Sequence, residues 1–244
     1  MSTAKQLLVS AEARDKYIAL CAACPINAAA RKNCIYAPSF LSHSDAQRLT
    51  ALVHSIDLLK ETDTLILSSS AENGFPHTRP KALICLPAGF VASSSDEELK
   101  ETLCHEAFHV HQRRFPDAWK AMCIAQGWTP LSSTDIPARF RERCRLNPDT
   151  CYDTPFWAWD TNYAPLPMFK QGFSVSLGDV TIEWLDLRSG ALFHSPPESF
   201  TERYGSPSQP EHPYEIYAVL FAQEGIETRA EIRQKLAQLT SFSA

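Results

Sequence analysis

Residues 105–109 read His-Glu-Ala-Phe-His. Two histidines four apart on an α-helix stand one above the other on one face, so each can offer an imidazole nitrogen to the same zinc ion. Glu106 then lies beside the metal. Zinc lowers the pKa of a bound water toward about 7, and a neighbouring carboxylate can take the proton as that water attacks a carbonyl. The pattern points to a zinc hydrolase with His105 and His109 as ligands and Glu106 as general base. The plain alternative makes both histidines ordinary core or surface residues of an amphipathic helix. A structural zinc site fits less well, because it needs no glutamate between its ligands and usually closes with a fourth protein ligand.

The elements around the motif support a buried metal helix. Ser95 and Glu98 have the spacing of a capping box, and Asp96, Glu97 and Glu98 place negative charge at the positive end of the helix dipole. The helix is therefore predicted to begin about three turns before the histidines. Leu99, Leu103, Cys104, Ala107, Phe108 and Val110 recur at helical spacing and give the motif an apolar surround. Cys104 projects about 100° around the helix from His105, which suits packing rather than ligation. His111 lies on a different face from His109, as a supporting or surface residue.

A catalytic zinc needs a third protein ligand and leaves its fourth position to water. The metzincin extension is absent, since Gln112 and Phe115 stand where it requires glycine and histidine. Far downstream, residues 212–222 form a second strongly apolar helix with Pro213 near its start and Glu215 in its first turn. Ala218 and Ala222, on the same face as Glu215, would let this helix lie close against the first, where the carboxylate could reach the metal. The two segments, 105–109 and 215–222, resemble the gluzincin metallopeptidases, in which a glutamate on a later helix is the third ligand and a small residue follows it by three. The resemblance implies His105, His109 and Glu215 as zinc ligands and Glu106 as general base. In one respect the chain departs from that group, because about a hundred residues separate His109 from Glu215 where a few dozen are usual. Asp160, Glu183, His194, Glu211 and His212 are the rival third ligands, and a solvated first-turn carboxylate is the plain reading of Glu215.

At 244 residues and 44% hydrophobic content, the chain can bury a sizeable core as one domain, 1–244. Its net charge of −5 with scattered Lys and Arg gives no basic stripe, so nucleic acid is not an expected partner. Residues 1–6 lack an export signal, and no apolar run approaches the ~20 residues that span a bilayer. A cytoplasmic protein with no membrane partner is the expectation, and the eight cysteines then read as reduced thiols. Cys21, Cys24 and Cys34 could suggest a second metal site, but no fourth ligand accompanies them.

Helices are predicted over 11–32, interrupted at Pro25, and over 44–60. Strands are predicted at 64–68 and 81–86, joined by a turn-rich stretch at 71–76. In the zincins that the chain resembles, an edge strand before the metal helix lines the cleft and pairs with an extended substrate; the stretch 76–86 is the candidate. A short helix is predicted over 117–126, closed by Gly127. More than half of the 17 prolines fall within 128–211, which reads as a loop-rich insertion. Residues 147–150 and 153–160 look like loop, and a small antiparallel sheet is expected from 175–177, 180–187 and 191–194. Phe156, Trp157, Trp159 and Tyr163 either wall a substrate cleft or form the insertion's own core. Tyr163, His194, Tyr214 and Tyr217 are the available donors for an oxyanion. A final helix over 228–239 packs on the Glu215 helix.

The expected fold is therefore α+β, a zincin-like catalytic core with a long insertion. The expected activity is zinc-dependent peptide hydrolysis on a peptide or protein substrate. Two alternatives remain: a zinc enzyme acting on a small molecule by hydration, hydrolysis or rearrangement, and a non-catalytic zinc-stabilised interaction protein. Oligomeric state, specificity and exo or endo attack are left open by these residues.

Overall fold

The structure, a computed structural model, describes residues 3–152, 154–170 and 175–241. Met1, Ser2 and Asp153, which belong to stretches interpreted above, lie outside the described residues. The chain opens with α1 (Thr3–Asp15), α2 (Tyr17–Ala23) and α3 (Pro25–Ala30). Besides the break at Pro25, a second falls at Lys16, whose backbone is left-handed (φ 52°). Helix α4 (His43–Ser55) starts on Ser42, whose hydroxyl accepts from Asp45 N, and ends short of Lys60 because 57–59 tighten into a 3-10 turn.

A three-stranded sheet follows, built from β1 (Asp63–Leu67), β2 (His77–Arg79) and β3 (Leu83–Pro87) in the order β1-β3-β2. β3 is central, parallel to β1 and antiparallel to β2. The stretch 76–86 is therefore two strands, divided by a turn in which Lys81 and Ala82 have positive φ, and only β2 is an edge. That edge is already engaged at its middle. Thr78 N donates to Asp149 Oδ1 (2.6 Å), and Thr78 O accepts from Arg113 Nη2 (3.3 Å). An extended substrate cannot add to β2 through Thr78, contrary to the expectation for this stretch.

Next come α5 (Ala88–Ser93), α6 (Asp96–Arg114) and α7 (Pro116–Ala125). The capping box of α6 forms: Ser95 Oγ accepts from Glu98 N (3.2 Å), and Glu98 Oε2 accepts from Ser95 N (2.8 Å). The remainder comprises β4 (Trp128–Leu131), α8 (Ala138–Arg141), β5 (Phe156–Trp159), β6 (Tyr163–Phe169), β7 (Val180–Asp186), β8 (Leu192–Phe193), α9 (Glu198–Tyr204), α10 (Pro213–Gln223) and α11 (Arg229–Ser241).

Strands β4 to β8 make an antiparallel sheet in sequential order, larger than the sequence suggests. Residues 175–177 are not a strand, whereas 156–159 and 163–169, which look loop-like, are strands. Pro165 and Pro167 disguise β6. The bonds flanking the ladder, Leu187 N to Asn162 O and Lys170 N to Asp179 O, show that even-numbered residues of β6 face β7. The odd-numbered prolines turn their missing N–H the other way, where Pro167 O instead accepts from Arg145 N (2.7 Å).

One buried cluster joins the two halves of the chain. Leu103 and Phe108 of α6 pack with Ile216 and Phe221 of α10, with Trp119 of α7, and with Trp128, Trp157 and Trp184 of the second sheet. Phe108 and Phe221 meet edge to face, centroids 5.7 Å apart, a geometry worth about 0.5–1.5 kcal/mol beyond burial. Trp157, Trp159 and Phe156 are thus core residues rather than cleft walls. The result is an α+β fold in which α10 packs directly on α6 within this shared core. All eight cysteines are free thiols. No helix among the described residues is long and apolar enough to cross a membrane.

Candidate metal centre

The packing of α10 on α6 brings His105, His109 and Glu215 together; among the described residues, this is the one group of three or more such side chains close enough to hold a metal ion. His109 Nε2 lies 3.0 Å from His105 Nε2 and 3.1 Å from Glu215 Oε2, and His105 Nε2 lies 3.3 Å from the same oxygen. At zinc bond lengths of about 2.0–2.1 Å, tetrahedral donors stand about 3.3 Å apart, so three donors at these separations match one face of a zinc tetrahedron. Cys21, Cys24 and Cys34 make no such group among the described residues.

The donors are oriented by side chains that the motif does not contain. Gln112 Oε1 lies 2.7 Å from His109 Nδ1, while Gln112 Nε2 donates to Tyr214 O (2.9 Å). An amide oxygen only accepts, so His109 carries its hydrogen on Nδ1 and presents the Nε2 lone pair to the cluster. Asn147 Nδ2 donates to Glu215 Oε1 (2.6 Å), which leaves Oε2 facing the two imidazoles. The Nε2 lone pair of His109 thus faces another imidazole nitrogen and a carboxylate in a buried setting, which only a proton or a cation between them can stabilise. In the metal-free chain the proton takes that part. Burial works against a charged His109, but Glu215 outweighs it and raises the imidazole to about 10. Burial likewise opposes the Glu215 charge, and His109 beside it still holds that carboxyl well below its ordinary range.

Glu106 is 3% exposed, and its Oε2 is buried without a hydrogen-bond partner. Burial first, and then the negative charge of Asp149, push its carboxyl well above the ordinary range. With His105 and Glu215 it lines a cavity of about 580 Å³. Ala222 also lines the cavity, whereas Ala218 is fully buried in the core where α10 meets α6.

None of the rival ligands joins the cluster. Asp160 sits in the β5–β6 turn with φ 50°. Glu183 pairs with His194 (2.9 Å), whose side chain is 91% exposed. Glu211 binds Arg145 (2.9 Å), and His212 caps α10, its Nδ1 accepting from Tyr214 N and its Nε2 donating to Thr154 O. Of the proposed oxyanion donors, Tyr163, His194, Tyr214 and Tyr217 all lie off the cavity lining; Tyr217 shares a hydrogen bond with Tyr204 (2.9 Å). The lining instead includes Arg145, whose Nε is buried without a partner. His111 is buried, and its Nδ1 accepts from Trp119 Nε1 (2.9 Å).

Gln112, Asn147 and Asp149 are the site residues that sequence reading misses. Gln112 had a local signal, since a side chain three positions after a ligand lies on the same helical face. Asn147 and Asp149 had none, because a turn reaches the site only through the tertiary fold. No protein-family model, no curated protein and no solved structure matches the chain.

Proposed function

We propose that this chain is a zinc-dependent metallopeptidase built on a zincin-like core, with His105, His109 and Glu215 as ligands in the gluzincin manner. One observation supports the reading: two imidazole nitrogens and a carboxylate oxygen from helices remote in sequence meet within 3.0–3.3 Å beside the buried, partnerless Oε2 of Glu106. Zinc held there supplies Lewis acidity, polarising a carbonyl oxygen and making water acidic near neutral pH. Glu106 Oε2 accepts the proton of a water molecule as the water oxygen bonds to the scissile carbonyl carbon. It then delivers that proton to the leaving amine nitrogen as the C–N bond breaks. Gln112 and Asn147 keep His109 and Glu215 in place throughout, and Arg145 Nε offers an N–H to a substrate oxygen.

A second reading has an observation of its own. The β2 edge is covered at Thr78, and the cavity volume of about 580 Å³ falls in the range that small ligands occupy, roughly 300–1,000 Å³. A compact molecule, hydrated, hydrolysed or rearranged by the same residues, fits these facts better than an extended peptide does.

The test is to incubate the zinc-loaded protein and its Glu106→Gln variant with a random peptide mixture and map new termini by mass spectrometry. The metallopeptidase reading requires new termini from the first protein and none from the second, with zinc bound to both. No cleavage by the zinc-loaded wild type rejects peptide hydrolysis and leaves the small-molecule reading.

A further inference from the structure

Part of the cavity lining is formed by residues the hydrolytic step does not use. His77, on β2, is 1% exposed and lines the cavity, and its Nε2 has no hydrogen-bond partner. Its Nδ1 lies 3.2 Å from the Phe75 carbonyl oxygen. A carbonyl only accepts, so Nδ1 bears the hydrogen and Nε2 of the neutral ring is a lone pair. Burial keeps the ring neutral against the pull of Glu72 and Asp149.

Asp149 lines the cavity too. Both bonds it receives from Thr78, one from N and one from Oγ1, fall on Oδ1 at 2.6 Å each, so Oδ2 is the oxygen available to a ligand. Another acid of the lining is already satisfied: Glu72 is bound by Arg31 (2.6 Å), Tyr17 (2.7 Å) and Tyr36. Arg145, the one lysine or arginine on the lining among the described residues, is tied to Glu211 (2.9 Å) near Glu215. Glu101 adds further negative charge to the lining. The lining thus presents an acceptor nitrogen and a carboxylate oxygen with no lysine or arginine of the lining bound to either among the described residues, while Arg113 behind them is engaged by the Thr78 hydroxyl and the Thr78 and Pro148 carbonyls.

Resting on the hydrolase reading above, we propose that His77 and Asp149 form a recognition pocket for a cationic nitrogen of the substrate, an ammonium or guanidinium group. That group donates one N–H to His77 Nε2 and another to Asp149 Oδ2. Arg145 Nε, also on the lining, offers its N–H to a substrate oxygen, so the cavity carries both donor and acceptor groups to orient the substrate. A neutral apolar group in the pocket leaves His77 and Asp149 buried and unpaired, which discriminates against it by roughly a hundredfold or more.

The probe is n-butylguanidinium, a cation that does not ligate zinc at neutral pH, titrated by calorimetry into the zinc-loaded wild type, Asp149→Asn and His77→Leu, with n-butyrate as the anionic control. Asp149→Asn keeps an oxygen for Thr78 while removing the charge. The wild type binds the cation saturably and Asp149→Asn binds it roughly tenfold or more weakly, as expected for loss of a charge-assisted bond. His77→Leu is also weakened, and His77→Gln, which restores an acceptor, recovers part of the loss. Equal binding of butyrate, or unchanged cation affinity in both Asp149→Asn and His77→Leu, overturns the pocket. In the peptide digest, cuts beside Lys, Arg or a free amino terminus are enriched by the wild type, and Asp149→Asn loses that enrichment. Cation binding without any cleavage refutes peptide hydrolysis and supports the pocket; cleavage with no basic preference and no cation binding does the reverse.

Discussion

Replacing Asn147 with Ala tests the geometry of the metal centre from outside the ligand set. Asn147 Nδ2 donates to Glu215 Oε1 at 2.6 Å, and Glu215 is 1% exposed, so water cannot easily take over the bond. A hydrogen bond to a buried charge contributes about 1.5–3 kcal/mol. Part of that loss weakens the metal-free fold as well, where Glu215 is paired with His109 (3.1 Å). The remainder appears in metal affinity, because a carboxylate free to rotate no longer holds Oε2 toward both imidazoles. Removing such a partner typically costs 10–100-fold in affinity, about 1.4–2.7 kcal/mol. Competition against a chromophoric chelator reads the zinc Kd directly, and urea unfolding of the metal-free variant separates the stability loss. Asn147→Asp is predicted to be worse than Asn147→Ala, since it sets a second negative charge against Glu215. A zinc Kd for Asn147→Ala within twofold of wild type refutes the reasoning, because Asn147 then does nothing for the ligand it touches.

Glu106→Gln keeps zinc at wild-type stoichiometry and lowers kcat by several orders of magnitude in a peptide or small-molecule assay; retained turnover removes Glu106 as the base. In the metal-free chain the raised pKa of His109 stabilises the fold below its ordinary value of about 6.5, and this contribution is lost as pH climbs through about 10. Zinc requires the neutral ring, so binding near pH 7 releases about one proton from this group and affinity rises with pH, as calorimetry in buffers of different ionisation enthalpy would show. Arg31→Ala leaves Glu72 buried beside two tyrosines without its cation and is expected to cost about 3–5 kcal/mol in chemical denaturation. Ala164→Pro removes an N–H that faces β7 and destabilises the second sheet, whereas Pro165→Ala, with its nitrogen turned away, changes the unfolding midpoint little.

The parts of this protein legible in its sequence are those governed by contacts within a few residues. The start of α6 follows from Ser95 and Glu98 binding each other's backbone, and the pairing of His105 with His109 follows from helical pitch. The start of α10 follows from Pro213 at its first position, which placed Glu215 in the first turn. Long-range placement is legible only where chemistry demands it, as with Glu215, which lies on a strongly apolar helix that must pack somewhere. Strand β6 was hidden because Pro165 and Pro167 look like strand breakers until the register shows their nitrogens facing away from β7. The edge of β2 looked open because its cover, Asp149 and Arg113, comes from a distant turn and from the far end of α6. Asn147 was silent for the same reason: nothing near it in the chain marks it as a partner of Glu215.

The most direct test of the metal centre is an anomalous difference map from crystals of the zinc-treated protein, with data collected on both sides of the zinc absorption edge. The account predicts one strong peak within bonding distance, about 2.0–2.2 Å, of His105 Nε2, His109 Nε2 and Glu215 Oε2, with Glu106 beside it and not bonded to it. The absence of a peak there, or a peak held by other residues with Glu215 turned away, contradicts it.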